Sequence, residues 1–339
     1  VTAGPASSPA ASAASDGGRS SAAAAGPASD PPAGPFAAAG GGADPAAEIR
    51  TVGVVGAGTM GHGIAQVFAQ AGRGVRLVDA SADALDRGVA AIARGLDRLA
   101  RKGALAEPPS AVLARVRPGG DVSSLADADL VVEAIVEDSD AKLRLFTELD
   151  RAAPRALLAS NTSAIAITRL AGATGRPDRV AGMHFMNPVP VMTLVEVVAG
   201  LRTSAATIER VAALCRALGK TPVVVRDSPG FVSNRVLMPM INEAVACLAE
   251  GVADAEGIDR VMKLGMRHPM GPLELADLIG LDVCLAILEV LHRDLGEDRY
   301  RPEPLLRRMV AAGWLGRKSG RGFHVYGGEP AASAAAGGA

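Results

Sequence analysis

Two residues in the middle of the chain have types that do proton chemistry when they meet. His184 ends the apolar run Val180–His184, and Glu196 sits inside the next apolar run, Leu194–Val198. A carboxylate in an apolar strand is costly unless it is paired, and His184 is the natural partner. A carboxylate bonded to one ring nitrogen fixes the imidazole tautomer and stabilises its protonated form. The other nitrogen is then free to take a proton from a hydroxyl. Pro188 and Pro190 stiffen the short hairpin between the two runs. On residue types alone such a pair is more often structural than catalytic. Its place just downstream of a nucleotide-binding pattern brings the two readings level.

That pattern is Gly56-Ala57-Gly58-Thr59-Met60-Gly61. It follows the apolar run Thr51–Val55 and opens a helical pattern over Met60–Ala71. Gly56 permits a tight turn, Gly58 lets a pyrophosphate approach bare backbone, and Gly61 lets helix and strand pack closely. The helix dipole and free N–H groups there favour a diphosphate. Asp79 closes the next strand, 21 residues after Gly58. A carboxylate at that point accepts hydrogen bonds from ribose hydroxyls and repels a 2′-phosphate, so the expected cofactor is NAD. Arg76 precedes the strand end and is a weak signal for NADP.

The elements that must position these residues follow from the apolar runs. Strands are expected at Thr51–Val55, Val75–Asp79, Leu130–Ala134, Leu157–Ser160, Val180–His184, Leu194–Val198 and Pro222–Val225. Helical patterns at Met60–Ala71, Ala82–Lys102 and Asp140–Ala153 alternate with them. Continuous apolar strands alternating with helices predict a parallel sheet covered on both faces. After Asp227 only helices are expected, at Phe231–Glu250, Asp254–Leu264, Pro272–Ile279 and Leu281–Leu295. The fold class is therefore an α/β Rossmann-type NAD-binding domain at 49–226, followed by an all-helical domain at 227–326. Residues 1–48 and 327–339 are small-residue tails, too poor in large apolar side chains to order themselves.

With 339 residues, 49 % of them hydrophobic, the chain is long enough for two cores. A net charge of -1 excludes a basic nucleic-acid-binding face. Cys215, Cys247 and Cys284 have neither disulfide nor zinc spacing, and the other four histidines carry no metal pattern, so no metal is expected. No run is long enough to cross a bilayer. The sequence reads as a cytoplasmic protein.

Taken together, the motifs resemble the 3-hydroxyacyl-CoA dehydrogenase family over about residues 50 to 326. The pieces are the glycine turn with Gly63-Ile-Ala-Gln66, Val131-Val-Glu-Ala-Ile-Val-Glu137, Ser160-Asn-Thr-Ser163 and the stretch from His184 to Glu196. They continue with Asp227-Ser-Pro-Gly-Phe-Val-Ser-Asn-Arg235, Met270-Gly-Pro-Leu273, Ile279-Gly-Leu-Asp282 and Lys318-Ser-Gly-Arg-Gly-Phe323. The resemblance implies an NAD-dependent oxidoreductase acting on a short acyl-CoA of the 3-hydroxybutyryl type. It makes His184 the base and Glu196 its orienting carboxylate. Ser163 and Asn234 hold the substrate oxygen and the imidazole. Glu137, Lys142, Asn187 and Lys318 match cofactor-contacting positions. Lys102 matches a residue that meets coenzyme A phosphates, with Arg98 and Arg101 adding charge. It also implies a homodimer formed through the helical domain.

Bland readings stand beside these. Ser163 could cap a helix and Asn234 could lie on a helix surface, while Lys102, Lys142 and Lys318 could be ordinary solvated lysines. Gly95 stands where some members have a coenzyme A-contacting serine, Ala164 where a serine is often seen, and Met186 where many have phenylalanine. Two rival readings remain. One is a sugar-acid dehydrogenase of the L-gulonate type, which tends to have proline after the histidine where this chain has Phe185. The other is a non-catalytic NAD-binding structural protein.

Overall fold

The computed structural model describes residues 46–326. The two expected disordered tails fall outside these residues, apart from 46–48, which form a turn with Ala46 buried.

The first part of the chain alternates strand and helix. It runs β1 (Thr51–Val55), α1 (Thr59–Gln70), β2 (Gly74–Val78), α2 (Ala82–Arg101), α3 (Pro109–Leu113), β3 (Val116–Gly119), β4 (Leu130–Glu133), α4 (Ser139–Ala152), β5 (Leu157–Ser160), α5 (Ile167–Ala171), β6 (Val180–Phe185), β7 (Leu194–Ala199), α6 (Ala205–Ala217) and β8 (Thr221–Arg226). The strands form one sheet in the order β3-β2-β1-β4-β5-β6-β7-β8. Because β1 lies between β2 and β4, the strand order reverses there. The crevice at the carboxyl ends of β1 and β4 is the expected place for a dinucleotide.

Successive residues of β4 face opposite layers. Leu130 and Val132 join Ile64, Phe68, Ile92 and Leu96 on one face; Val131 joins Phe146, Leu149, Ile167 and Leu170 on the other. This two-sided burial explains the unbroken apolar strands. Helix starts are fixed locally: Ser81, Asp138 and Ser204 each accept a hydrogen bond from a first-turn backbone N–H.

The sheet is not wholly parallel, as the apolar pattern led us to expect. β7 runs antiparallel to β6, and β8 follows β7 in parallel. The connection of residues 186–193 is too short for a parallel crossover, which needs a dozen residues or more. The edge strand β3, the short helices α3 and α5 and the crossover helix α6 were given no range in the sequence reading of this part.

The remainder is helical: α7 (Ser233–Ala249), α8 (Ala255–Gly265), α9 (Pro272–Ile279), α10 (Leu281–Leu295) and α11 (Pro304–Ala311). They enclose a separate core around Met238, Ile241, Leu273, Leu288, Leu291 and Leu306. Cys215 and Cys284 are buried, and burial pushes both thiols up to about 12, so they behave as small apolar side chains.

Candidate active site

The antiparallel pairing of β6 with β7 sets His184 directly opposite Glu196. The imidazole Nδ1 lies 2.7 Å from Glu196 Oε2, and both residues are buried. The ring's Nε2 makes no hydrogen bond to a described residue and is not among the buried atoms left without a partner, so it opens on accessible space. Phe231, held at a positive φ of 50°, tilts its ring against the imidazole at 5.7 Å.

Glu196 is also gripped by the amino end of α7. Its Oε1 accepts from the backbone N–H groups of Val232 at 3.0 Å and Ser233 at 2.9 Å, and its Oε2 accepts from Ser233 Oγ at 2.7 Å. Burial alone would push this carboxyl upward. The hydrogen bonds from His184 and Ser233 outweigh burial and hold it below the ordinary 4.5. The carboxylate therefore stays charged and cannot swing.

From α7 the bonding continues into the loop after β5. Asn234 donates its amide to the backbone oxygen of Ser163 at 3.2 Å. Glu137 Oε1 accepts from Ser163 N at 3.0 Å, from Ala164 N at 3.2 Å and from the Thr162 hydroxyl. Lys142 is not a surface lysine. It is 1 % exposed, and its ammonium lies 2.6 Å from Glu133 and 3.1 Å from Glu137. Burial would raise the Glu137 carboxyl, but the Lys142 charge and the Thr162 and Ser163 bonds bring it below 4.5. A cleft of about 470 Å³ opens here, lined by Glu137, Ala164 and Arg169 on one side and by Val290 and Arg293 of α10 on the other.

The glycine turn has the shape a dinucleotide needs. Gly56 has φ +102°, and a Cβ on it would come within 2.5 Å of Ala134 O; a Cβ on Gly61 would come within 1.7 Å of Gly56 O. Above Gly58 there is open space, and no side chain caps α1. Thr59 is exposed beside it, while Met60 packs on the core. Asp79 accepts from Ala57 N at 2.8 Å and from Ser81 N at 2.9 Å. Those bonds brace the turn and use two of the roughly four lone-pair positions of a carboxylate. The turn and Asp79 thus fit NAD. A Cβ on Gly63, one turn into α1, would lie 3.0 Å from Val189, so α1 and the loop after His184 touch at that point.

The remaining expected residues stand apart from this network. Asn187 is exposed on the loop, preceding a cis proline. Lys318 pairs with Asp282 at 2.6 Å, inside the helical part. Lys102 is the exposed residue closing α2, and neither it nor the exposed Arg98 and Arg101 pairs with a described carboxylate. Gly95 faces α1, where a Cβ would meet the Gln66 side chain at 2.5 Å.

Four contributors were not singled out from sequence. Ser233 and Asn161 lay in quoted motifs without a role; Asn161 Oδ1 accepts from Phe185 N at 2.9 Å and joins the ends of β5 and β6. Glu133 offered the signal already used for Glu196, a carboxylate in an apolar strand. Lys220 donates to Val189 O at 2.6 Å and Met192 O at 2.7 Å and so anchors the loop between β6 and β7. Its burial lowers the ammonium below its usual range.

Comparison with known proteins decides the family. Residues 51–228 match the NAD binding domain of 3-hydroxyacyl-CoA dehydrogenase, and residues 230–326 match its C-terminal domain. The chain belongs to the 3-hydroxyacyl-CoA dehydrogenase family. A probable 3-hydroxybutyryl-CoA dehydrogenase of Deinococcus radiodurans is 58 % identical over 275 residues, covering 81 % of this chain and 99 % of the relative. A 3-hydroxybutyryl-CoA dehydrogenase of Bradyrhizobium diazoefficiens is 52 % identical, covering 83 % and 97 %. The crystal structure of an (S)-3-hydroxybutyryl-CoA dehydrogenase from Ralstonia eutropha superposes with a TM-score of 0.80 at 52 % identity, covering 83 % of this chain and all of that one. The family's first domain binds NAD, and it is that domain which carries the glycine turn, Asp79, His184 and Glu196 here. The family match favours the acyl-CoA reading over the sugar-acid and non-catalytic ones. Among the described residues no helix is long and apolar enough to cross a membrane.

Proposed function

We propose that the protein catalyses the reversible, NAD-dependent oxidation of an L-3-hydroxyacyl-CoA to the 3-oxoacyl-CoA, with 3-hydroxybutyryl-CoA as its preferred substrate. The observation that carries this reading is the buried 2.7 Å bond between His184 Nδ1 and Glu196, which leaves Nε2 open. His184 takes the substrate's hydroxyl proton at Nε2. Glu196 keeps the tautomer fixed and balances the charge that develops on the ring. NAD, when bound, supplies the hydride acceptor. Ser163 and Asn234 hold the substrate oxygen and keep the two domains in register. Gly56, Gly58, Thr59, Met60, Gly61 and Asp79 bind the dinucleotide. Glu137, oriented by Lys142, and Asn187 and Lys318 contact it further along. Lys102, Arg98 and Arg101 meet the phosphates of coenzyme A; their freedom from described carboxylates supports that role. The chain-length preference rests on the relatives' names.

We take Asp227 as the first residue of the helical domain. Its carboxylate accepts from Ile167 N at 3.1 Å and Thr168 N at 2.7 Å and supports a pinned junction. A homodimer through the helical domain is part of the same reading, supported by exposed Val236, Val261, Leu264 and Met266. Light scattering that returned a monomer would remove it. The cytoplasm, where NAD and acyl-CoA are both at hand, is the proposed location. The deciding assay follows NADH or NADPH consumption with acetoacetyl-CoA and longer 3-oxoacyl-CoAs. Rapid turnover with NADH, fastest on the four-carbon substrate, is expected; no turnover with any acyl-CoA would sink the proposal.

A further inference from the structure

Glu196 receives four hydrogen bonds, and their division between its two oxygens is uneven in kind. Oε1 takes two backbone N–H groups, from Val232 and Ser233. Oε2 takes the imidazole of His184 and the hydroxyl of Ser233, each at 2.7 Å. The roughly four lone-pair positions of a carboxylate are thereby filled. The Ser233 hydroxyl is not occupied with its own helix, since no side chain caps the start of α7. It competes with His184 for one oxygen.

We propose that Ser233 is a positioning residue that limits how strongly Glu196 pulls on His184 and so sets the pH at which His184 works as the base. The inference rests on the reading of His184 as that base. A hydrogen bond accepted by a carboxylate oxygen withdraws charge from it and weakens every other bond to the same oxygen. Before oxidation His184 must be neutral. A carboxylate that lacked the hydroxyl would hold the imidazolium more tightly and keep the ring protonated, and idle, at higher pH. The two backbone N–H groups already fix where Glu196 sits, so the hydroxyl is not needed to hold it. Few other charges bear on the pair. Among the described residues, no ionisable side chain besides His184 bonds to Glu196. On β8 its register neighbour is Val223. On α7 the nearest charge, Arg235, bonds to Ser228 Oγ at 3.0 Å.

The test is the rate of 3-hydroxybutyryl-CoA oxidation against pH for the wild type and for Ser233→Ala, Ser233→Thr and Ser233→Cys. In Ser233→Ala the acidic limb is expected to move up by roughly half to one pH unit, lowering the rate on that limb about three- to ten-fold, with plateau kcat and the KM for NAD within about twofold. Ser233→Thr keeps the hydroxyl and the wild-type limb. Ser233→Cys, whose thiol is a weak donor, falls between, and it remains informative if the alanine variant does not fold. A structural role alone would change stability and leave the limb in place. An unmoved limb in the alanine and cysteine variants, or a threonine variant that shifts as far as alanine, overturns this inference alone. A wild-type protein inert toward every acyl-CoA overturns the functional reading, and this inference with it.

Discussion

Two histidines in this chain meet a carboxylate at the same separation of 2.7 Å: His184 with Glu196 at the sheet, and His324 with Asp259 in the helical domain. Neither the distance nor the burial of the carboxylate distinguishes them, for Glu196 and Asp259 are both about 2 % exposed. Their surroundings do. Asp259 spends its other bonds on Leu273 N and Glu274 N, each at 2.9 Å, at the start of α9. Beside it Asp277, equally buried, accepts from Phe323 N, His324 N and the Tyr326 hydroxyl. Both aspartates are walled by glycines: a Cβ on Gly271 would meet Asp259 at 2.2 Å, and one on Gly322 would meet Asp277 at 1.8 Å. That cluster fastens residues 322–326 onto α8 and α9. Glu196 is tied instead to the start of α7, one residue before Asn234 and its bond to Ser163. Bonds of equal length thus join different parts: one pair links the sheet to the start of α7, the other links residues 322–326 to α8 and α9.

Exchanging each histidine tests the contrast most severely. His184→Gln is expected to lower turnover by about 10²–10⁴-fold, with NAD affinity changed only a few-fold. His324→Gln is expected to leave kcat within about twofold while lowering the unfolding free energy by roughly 1–3 kcal/mol, the range for a bond to a charged partner. Near-wild-type turnover in the first, or a collapse of turnover at full stability in the second, would reverse the assignment.

A smaller effect is expected at Asp277. Asp277→Asn should cost roughly 2–3 kcal/mol in urea unfolding while sparing KM for both substrates. Burial first, and then the bond to Asp277, push the Tyr326 phenol up to about 12. In this variant its ultraviolet titration should fall toward the ordinary 10.0. An unchanged titration would mean that burial alone holds it.

The smallest expected effect is on acid stability. Glu196 and Glu137 are both held below 4.5 in the folded protein. A carboxyl depressed by folding adds stability that is fully present above its unfolded value and is lost as pH falls through its folded value. Unfolding free energy should therefore stay level from about pH 8 to 5 and decline below that. Glu196→Gln should decline less steeply, and curves that run parallel to the wild type would count against the contribution of Glu196.

Much of this architecture was legible because burial on both faces writes itself as unbroken apolar runs. β1, β4, β5, β6 and β7 could all be read that way, and the glycine turn and the His184 and Glu196 strands fell in the right places. β3 could not. Its sequence, Val-Arg-Pro-Gly, buries only Val116, and an edge strand needs no second apolar face. The reversal of β7 leaves no mark on hydrophobicity and conflicted with the parallel pattern; only the short hairpin between the two runs carried it. Ser233 was invisible for another reason. A serine at a helix start reads as a cap, and nothing local reveals that its hydroxyl turns to a carboxylate 37 residues earlier.

The contact between Gly63 and Val189 has a wider consequence. It is a bare seam, 3.0 Å by the measure of an added methyl, between the helix that follows the glycine turn and the loop that follows His184, the proposed proton acceptor. Hydride and proton leave neighbouring atoms of one substrate, so their two destinations must keep a constant spacing. A side chain grown at position 63 would press on Val189, and the loop would have to give by a few tenths of an ångström. The close approach of helix and loop therefore depends on an atom that the sequence leaves out.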